Sequence, residues 1–207
     1  MKFPEHLTLS FLLAQLGPQR DYGIAGTALM LVAGNLPDVD SLSLLAGRER
    51  YRKYHRIVGH GLPVTLVGPA LLAALASGGL GIGPFWKLWG WLQLAVAMHL
   101  LADVCFYRWP VQLLWPLSAR SWGLGWVRWN DLVPTAILYV ATMLVVLRPY
   151  FASALAAAGI GGFALYLAWR AWWPWPRWGW SAWVTGSWAF DAAPVWRWLT
   201  GDFVRRT

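Results

Sequence analysis

The chain has 207 residues, of which 58% are hydrophobic and only 13% are charged, and its formal net charge is +8. A soluble domain of this length needs more charge to cover its surface, so the composition argues against a soluble enzyme and predicts a membrane protein. The basic residues lie mostly between apolar runs, where they set membrane orientation, and we therefore expect no nucleic-acid partner. The single cysteine, Cys105, excludes an internal disulfide and a thiolate metal cluster.

The apolar segments, taken in chain order, predict an all-α fold, a polytopic membrane helix bundle. Two short apolar runs, 7–16 and 22–36, come first and are separated by a turn. Four segments of roughly spanning length follow, at 62–83, 85–106, 132–147 and 151–169. Because a spanning helix needs ~20 apolar residues, we expect four transmembrane helices, and two more if the first runs also span instead of forming a buried hairpin.

The distribution of basic residues predicts the orientation of this bundle and its division into domains. Five basic residues lie between Gly47 and Arg56, so we expect this loop on the cytoplasmic side of the membrane. Alternation of the spans then places the basic segments 108–130 and 170–207 on the same side. We assign residues 1–170 to one membrane-embedded domain and residues 171–207 to a C-terminal tail.

Tryptophan is concentrated towards that tail, because ten of the chain's 18 tryptophans lie between Trp169 and Trp198. Tryptophan prefers the headgroup level of a bilayer, where its ring lies in hydrocarbon and its N–H reaches water. The tail is therefore predicted to be an interfacial anchor, with a lid over a substrate as the alternative.

All four histidines and four of the aspartates fall at helix ends that the predicted topology places on one side. They are His6, Asp38, Asp40, His55, His60, His99, Asp103 and Asp131. An ionised carboxylate at membrane depth costs at least ~2.5–3.5 kcal/mol, so several such groups converge only if protons or cations neutralise them. Since a divalent ion accepts both imidazole and carboxylate ligands, we predict a site for one or two Zn²⁺-type ions. We read the other acidic residues, Glu5 among them, as solvated or headgroup-level charges.

Two local patterns support this site, and each has a simpler alternative. His99 and Asp103 are four residues apart on a predicted helix and therefore share a face, which suits a common metal or a plain hydrogen bond. Asp38 and Asp40 follow Pro37, and in an extended segment both would point the same way. The alternative is that one of these two aspartates caps the next helix.

The pair His55 and His60 is less regular, because a spacing of five places two side chains well apart on an ideal helix. Both can face one site if the chain bends, which Gly59 and Gly61 permit. Arg56 could bind a phosphate or an oxyanion, or it could serve only as positive charge on the cytoplasmic side.

As an ordered set, these motifs resemble the YdjM-like family of bacterial inner-membrane proteins, which are described as metal-dependent hydrolases. The resemblance extends from His6 to about Asp131. It rests on His6, Leu36-Pro37-Asp38-Val39-Asp40, His55-Arg56, His60, His99-Leu100-Leu101-Ala102-Asp103 and Leu113-Leu114-Trp115-Pro116. The chain departs from the family at Gly59 and Gly61, where Thr and Ser are common.

The leading hypothesis is the hydrolysis of an ester or phosphoester, on a lipid-like substrate, at the cytoplasmic membrane face. One or two ions would be bound by residues drawn from His6, Asp38, Asp40, His55, His60, His99 and Asp103. A bound ion lowers the pKa of its water from about 15.7 towards about 7. Asp40 or Asp131 would accept the proton, and Arg56 would stabilise charge on the substrate oxygens. The alternatives are a metal or proton carrier and a structural membrane protein.

Overall fold

The structure, a computed structural model, describes residues 1, 3–106, 110–128 and 131–172, without the side chains of residues 52 and 53. Within these ranges the regular secondary structure is helical, and pairing of extended segments is confined to isolated bridges between Phe106 and Val127 and between Val111 and Trp122. The prediction of an all-α fold is therefore confirmed for the described residues. Apart from its first two residues, the predicted tail 171–207 lies outside them.

The described helices follow the order expected from the apolar segments. They are α1 (Phe3–Ala14), α2 (Pro18–Gly34), α3 (Arg48–Tyr54), α4 (Gly68–Ala74), α5 (Phe85–Cys105), α6 (Leu132–Leu147) and α7 (Ala152–Trp172). A 3₁₀ helix, Pro37–Ala46, separates α2 from α3, and π-helical turns at Pro63–Val67 and Leu75–Gly79 extend α4. A short 3₁₀ turn, Pro149–Phe151, joins α6 to α7.

Helix length limits how many of these elements can cross a bilayer. Among the described residues, Phe85–Cys105 and Pro149–Trp172 are long and apolar enough to span, and a third span arises only if Pro18–Gly34 and Pro37–Ala46, bent by 63°, act together. Pro63–Gly79 and Leu132–Leu147 are apolar but shorter. The predicted count of four to six spans is therefore not confirmed, and the structure supports two or three.

The short helix α1 lies at the centre of the bundle. It contacts α2, α5, α6 and α7, and its Leu9, Leu12 and Leu13 are almost fully buried. Close packing against α2 depends on Gly34, since an added Cβ there would lie 2.0 Å from the Oγ of Ser10. The contacts of α1 with α2 and α5 bring its first turn next to the ends of those two helices.

Backbone hydrogen bonds from the segment 110–128 fix the turn 55–62 against the end of α5. The amide of Gln112 donates to the carbonyl of Arg56 at 3.1 Å, and the amide of Leu62 donates to the carbonyl of Trp115 at 2.9 Å. The same segment reaches α5, because the amide of Leu124 donates to the carbonyl of Val104 at 2.7 Å. The Leu-Leu-Trp-Pro motif therefore contributes to the site through its backbone.

Candidate metal centre

Asp38, His60, His99 and Asp103 form one group in which each residue offers a ligand atom, and these atoms all lie within 4.8 Å of one another. The 3₁₀ helix supplies Asp38, the turn after α3 supplies His60, and the last turns of α5 supply His99 and Asp103. His60, His99 and Asp103 are at most 1% exposed, while the side chain of Asp38 is 11% exposed. We call these four residues the metal cluster; its open side is at Asp38.

The tautomer of His99 directs an unprotonated nitrogen into the metal cluster. Its Nδ1 lies 2.7 Å from the carbonyl of Gly34, which can only accept, so Nδ1 carries the proton and donates it. The buried Nε2 has no hydrogen-bond partner among the described residues. It faces Oδ1 of Asp38 at 3.8 Å and Oδ2 of Asp103 at 3.7 Å. These distances are too long for hydrogen bonds, so a lone pair and two carboxylate oxygens face one another, an arrangement that a cation between them would stabilise.

His60 is held in a similar way, with a carboxylate behind it in place of a carbonyl. Its Nδ1 donates to Oδ2 of Asp40 at 3.2 Å, and its Nε2 faces Oδ2 of Asp103 at 3.2 Å and Oδ1 of Asp38 at 3.9 Å. Burial disfavours the charged imidazolium, but the hydrogen bonds with Asp103 and Asp40 outweigh burial and raise the pKa of His60 above its usual value. A metal bound at Nε2 would compete with a second proton on this ring.

The donor set fits a divalent transition metal. Two ligands about 2.0–2.1 Å from a tetrahedral ion lie roughly 3.3 Å apart. The recorded separations of 3.2–3.9 Å between imidazole nitrogens and carboxylate oxygens are close to that value. Two imidazoles and two carboxylates suit Zn²⁺, while a carboxylate-only set would suit Mg²⁺ or Ca²⁺. Each imidazole also donates its other N–H to an oxygen, as metal-binding histidines usually do.

The two oxygens of Asp103 have different surroundings. Oδ2 faces His60 and His99, whereas Oδ1 accepts hydrogen bonds from Nε2 of His6 at 3.2 Å, from Nη2 of Arg56 at 3.0 Å and from the amino group of Met1. The ring of His6 also stacks on that of His99, with centroids 3.6 Å apart. The structure therefore places His6 beside the metal cluster, in contact with two of its members.

Asp40, predicted as a ligand or a base, lies behind His60. Besides the hydrogen bond from His60, it accepts one from Nδ1 of His55 and one from the amide of Arg56, each at 2.7 Å. Arg56 has a φ of 66°, in the left-handed region that residues other than glycine rarely adopt. Because the Asp40 carboxylate holds the Arg56 amide in this conformation, it shapes the turn that positions His60.

The extended segment predicted after Pro37 is wrong, since Pro37–Ala46 is a 3₁₀ helix. With three residues per turn, positions i and i+2 point in different directions. Asp38 consequently faces the metal cluster while Asp40 faces His55 and His60. The two aspartates thus serve different groups instead of sharing one.

His55 lies outside the metal cluster and contacts it indirectly. Its Nδ1 donates to Asp40, and its ring stacks on Tyr51 with centroids 4.4 Å apart. The ring of His60 lies edge-to-face to that of His55, with centroids 6.1 Å apart. The bend expected from the glycines does bring the two histidines near each other. Only His60 points into the cluster.

Asp131, predicted as a base, has both oxygens engaged elsewhere. Oδ1 accepts from the amide of Val133 at 3.0 Å, which caps α6, and Oδ2 accepts from the hydroxyl of Tyr166 at 2.5 Å.

We expect Asp131→Ala to lower the free energy of unfolding by about 0.5–2 kcal/mol, as loss of an N-cap does, and to leave metal content unchanged. SDS titration and elemental analysis of the purified variant check this. Loss of the metal would instead place Asp131 in the site.

Glu5, which we read as a solvated charge, is a buried residue that the sequence analysis missed. It is 3% exposed, and its Oε1 accepts a hydrogen bond from Thr135 at 2.6 Å. The signal available in the sequence was its position beside His6 in the first turn of an apolar helix.

Gly59 allows the turn to approach the 3₁₀ helix closely. A Cβ at this position would lie 2.1 Å from the carbonyl oxygen of Pro37 and 2.9 Å from Oδ2 of Asp40. A larger residue at Gly59 therefore requires a different backbone path here. In this chain Asp40, instead of a neighbouring hydroxyl, orients His60.

Replacement of Gly59 by Ala is expected to displace the turn from Asp40 and to weaken metal binding, because the clash involves backbone atoms that cannot rotate away. Gly90→Ala is the matched control, since a Cβ there meets nothing within 4 Å. Zinc affinity measured by competition with a chromophoric chelator should fall for the first variant only. Equal affinities for both variants would show that the close approach at Gly59 has no role.

Apolar helices of spanning length and a buried group of imidazoles and carboxylates together define a membrane protein with a candidate metal centre. The chain belongs to the YdjM inner membrane protein family, whose sequence pattern matches residues 1–174, and the resemblance inferred from the motifs is thereby confirmed.

The chain is also similar to a Bacillus subtilis (strain 168) protein named uncharacterized protein YfhP, at 28% identity over 101 residues. The match covers 49% of this chain and 31% of the relative, so the chain spans about a third of that protein's length. No solved structure matches the chain.

Proposed function

We propose that the chain is a metal-dependent hydrolase that cleaves an ester or phosphoester with the help of one Zn²⁺-type ion at the metal cluster. The observation that supports this most strongly is the buried Nε2 of His99. Its fixed tautomer points a lone pair at two carboxylates, and both lie too far from Nε2 to form a hydrogen bond with it.

One ion is proposed because the second oxygen of Asp103 contacts a permanent positive charge. An additional ion near Oδ1 would lie close to the guanidinium of Arg56, which is 3.0 Å from that oxygen. The charge of Arg56 disfavours a further divalent ion there by direct repulsion.

When bound, such an ion supplies a Lewis acid and lowers the pKa of a coordinated water from about 15.7 towards about 7. The chain's own residues would do the rest. Asp38 lies at the open side of the cluster, and neither of the nitrogens nearest to it, 3.8 and 3.9 Å away, forms a hydrogen bond with it. We assign Asp38 as both ligand and proton acceptor, because both oxygens of Asp40 and of Asp131 already accept hydrogen bonds.

Arg56 is assigned an electrostatic role. It is 4% exposed and contacts Asp103 through Nη2, so its permanent charge is poorly screened by water. A fixed positive charge next to the metal cluster favours substrates whose negative charge increases during the reaction, which is the case for phosphoesters. The proposed substrate is lipid-like, because the site lies at the ends of apolar helices, and its proposed location is the cytoplasmic face of the inner membrane.

The test is the hydrolysis of a panel of phospholipids and lipid phosphates by the reconstituted protein. We expect turnover that a chelator abolishes and Zn²⁺ restores. Asp38→Asn removes both a proposed ligand and the proposed proton acceptor, so it should lower metal content and reduce turnover by at least roughly 10²-fold. Asp21→Asn, which alters a surface ion pair with Lys87 at 2.9 Å, is the control and should keep full activity. Absence of metal-dependent release from every member of the panel would count against the proposal.

A structural metal site is the second candidate, and one observation favours it. Structural zinc sites have four protein ligands, whereas catalytic sites retain an open position, and three members of the metal cluster are nearly inaccessible. In that case chelation would lower the free energy of unfolding of the wild type without any associated turnover. Metal-dependent turnover together with loss of activity in Asp38→Asn would decide for the enzyme.

A further inference from the structure

The segment between α2 and α3 exposes both apolar and basic side chains. In the 3₁₀ helix before α3, Leu42, Leu44 and Leu45 are 63%, 51% and 88% exposed. At the beginning of α3, Arg48 and Arg50 are exposed as well. We call these five residues the leucine–arginine lip.

The composition of this lip matches one environment, the boundary between hydrocarbon and headgroups. Leucines avoid water and enter the acyl region, while guanidinium groups stay at the headgroup level, where they attract anionic lipids. Glu49 lies between these arginines and is also exposed. The net charge of these three side chains is still positive. An uncharged lipid would satisfy the leucines but would leave the arginines without a counter-charge.

The lip is joined directly to the candidate site. The 3₁₀ helix that exposes the leucines also supplies Asp38, and it packs against α3. The side chain of His55, the residue that follows α3, is 11% exposed and contacts Asp40. The lip therefore lies on the element that supplies Asp38 and on the helix packed against that element.

We propose that the leucine–arginine lip binds the headgroup of an anionic phospholipid and that this lipid class supplies the substrate. This inference rests on the proposed function for its catalytic part, whereas the binding itself does not require turnover. Guanidinium groups bind phosphate oxygens with paired hydrogen bonds, so the recognised chemistry is a phosphate group attached to an acyl-bearing lipid.

The test places an environment-sensitive fluorophore on Leu45→Cys, the most exposed leucine of the lip. The native Cys105 is 1% exposed. Wild type treated with the same fluorophore checks that Cys105 does not react. The labelled protein is compared in nanodiscs of phosphatidylcholine and in nanodiscs of equal parts phosphatidylcholine and phosphatidylglycerol. We expect emission at shorter wavelength in the anionic discs, and loss of that shift in Arg48→Gln/Arg50→Gln. Arg20→Gln, whose side chain is 81% exposed away from the lip, should retain it.

Three results would overturn the proposal. The first is an emission wavelength that reports water in both kinds of nanodisc. The second is an emission shift of equal size in both. The third is a shift that inorganic phosphate produces in phosphatidylcholine discs without any anionic lipid. Metal content is measured on the same samples. A wild type that shows the lipid-dependent shift but contains no metal would contradict the proposed hydrolase and leave lipid binding intact, so the two failures are distinguishable.

Discussion

Asp103→Asn is expected to abolish metal binding and to lower the free energy of unfolding by about 3–5 kcal/mol, the usual cost of removing one partner of a buried ion pair. Asp103 is fully buried and contacts His6, Arg56 and His60. The amide that replaces it cannot neutralise the guanidinium of Arg56, and it is a poor ligand for a transition metal. Elemental analysis and SDS titration in mixed micelles measure the two effects.

The control for this variant is Asp21→Asn. Asp21 pairs with Lys87 at the protein surface, where an ion pair contributes about 0–1 kcal/mol, so its loss should change stability little and metal content not at all. Retention of the ion by Asp103→Asn would exclude this carboxylate as a ligand.

Asp40→Ala is expected to weaken zinc affinity by about 10–100-fold, the range found when a residue that orients a metal-binding histidine is removed. The variant keeps all four members of the metal cluster but deletes the acceptor for Nδ1 of His60, so the ring is free to turn. Competition with a chromophoric chelator measures the change. Asp40→Asn retains one acceptor oxygen and should recover part of the affinity.

Two further comparisons separate orientation from direct coordination. His55→Ala removes only a neighbour of Asp40 and should weaken binding less than Asp40→Ala does. If Asp40 were itself a ligand, its replacement by Ala would abolish stoichiometric metal binding, as replacement of His99 should. An unchanged affinity in Asp40→Ala would contradict the orienting role.

The part of the site that depends on regular helix geometry was predictable from the sequence. His99 and Asp103 share a face of α5 because residues four apart on a helix always do, and the structure directs both at the same cluster. The helical class and the family were also predictable, from apolar run lengths and from the order of the motifs. These features depend on local spacing or on residue identity alone.

The separate roles of Asp38 and Asp40 were not predictable, because they depend on the type of helix after Pro37. An extended strand and a 3₁₀ helix are both compatible with that proline, yet they orient alternate residues differently. It is His60, and not His55, that points into the metal cluster, because Asp40 holds the backbone between them at Arg56. Contacts of that kind join residues far apart along the chain, and spacing alone does not reveal them.

The number of membrane spans expected from apolar run lengths is not confirmed, for a related reason. Counting apolar residues does not register where a helix bends, as the chain does by 63° between α2 and the following 3₁₀ helix. The burial of Glu5 follows from the central position of α1, which the length of that apolar run did not indicate.

Metal content of the protein purified in detergent tests the central claim most directly, if measured for wild type and for His99→Ala after dialysis against trace Zn²⁺. The arrangement of His60, His99, Asp38 and Asp103 predicts a single tightly bound ion per chain in the wild type and its loss in the variant. Equal and negligible metal in both proteins would contradict it, since the lone pair of His99 would then face two carboxylates with no ion between them.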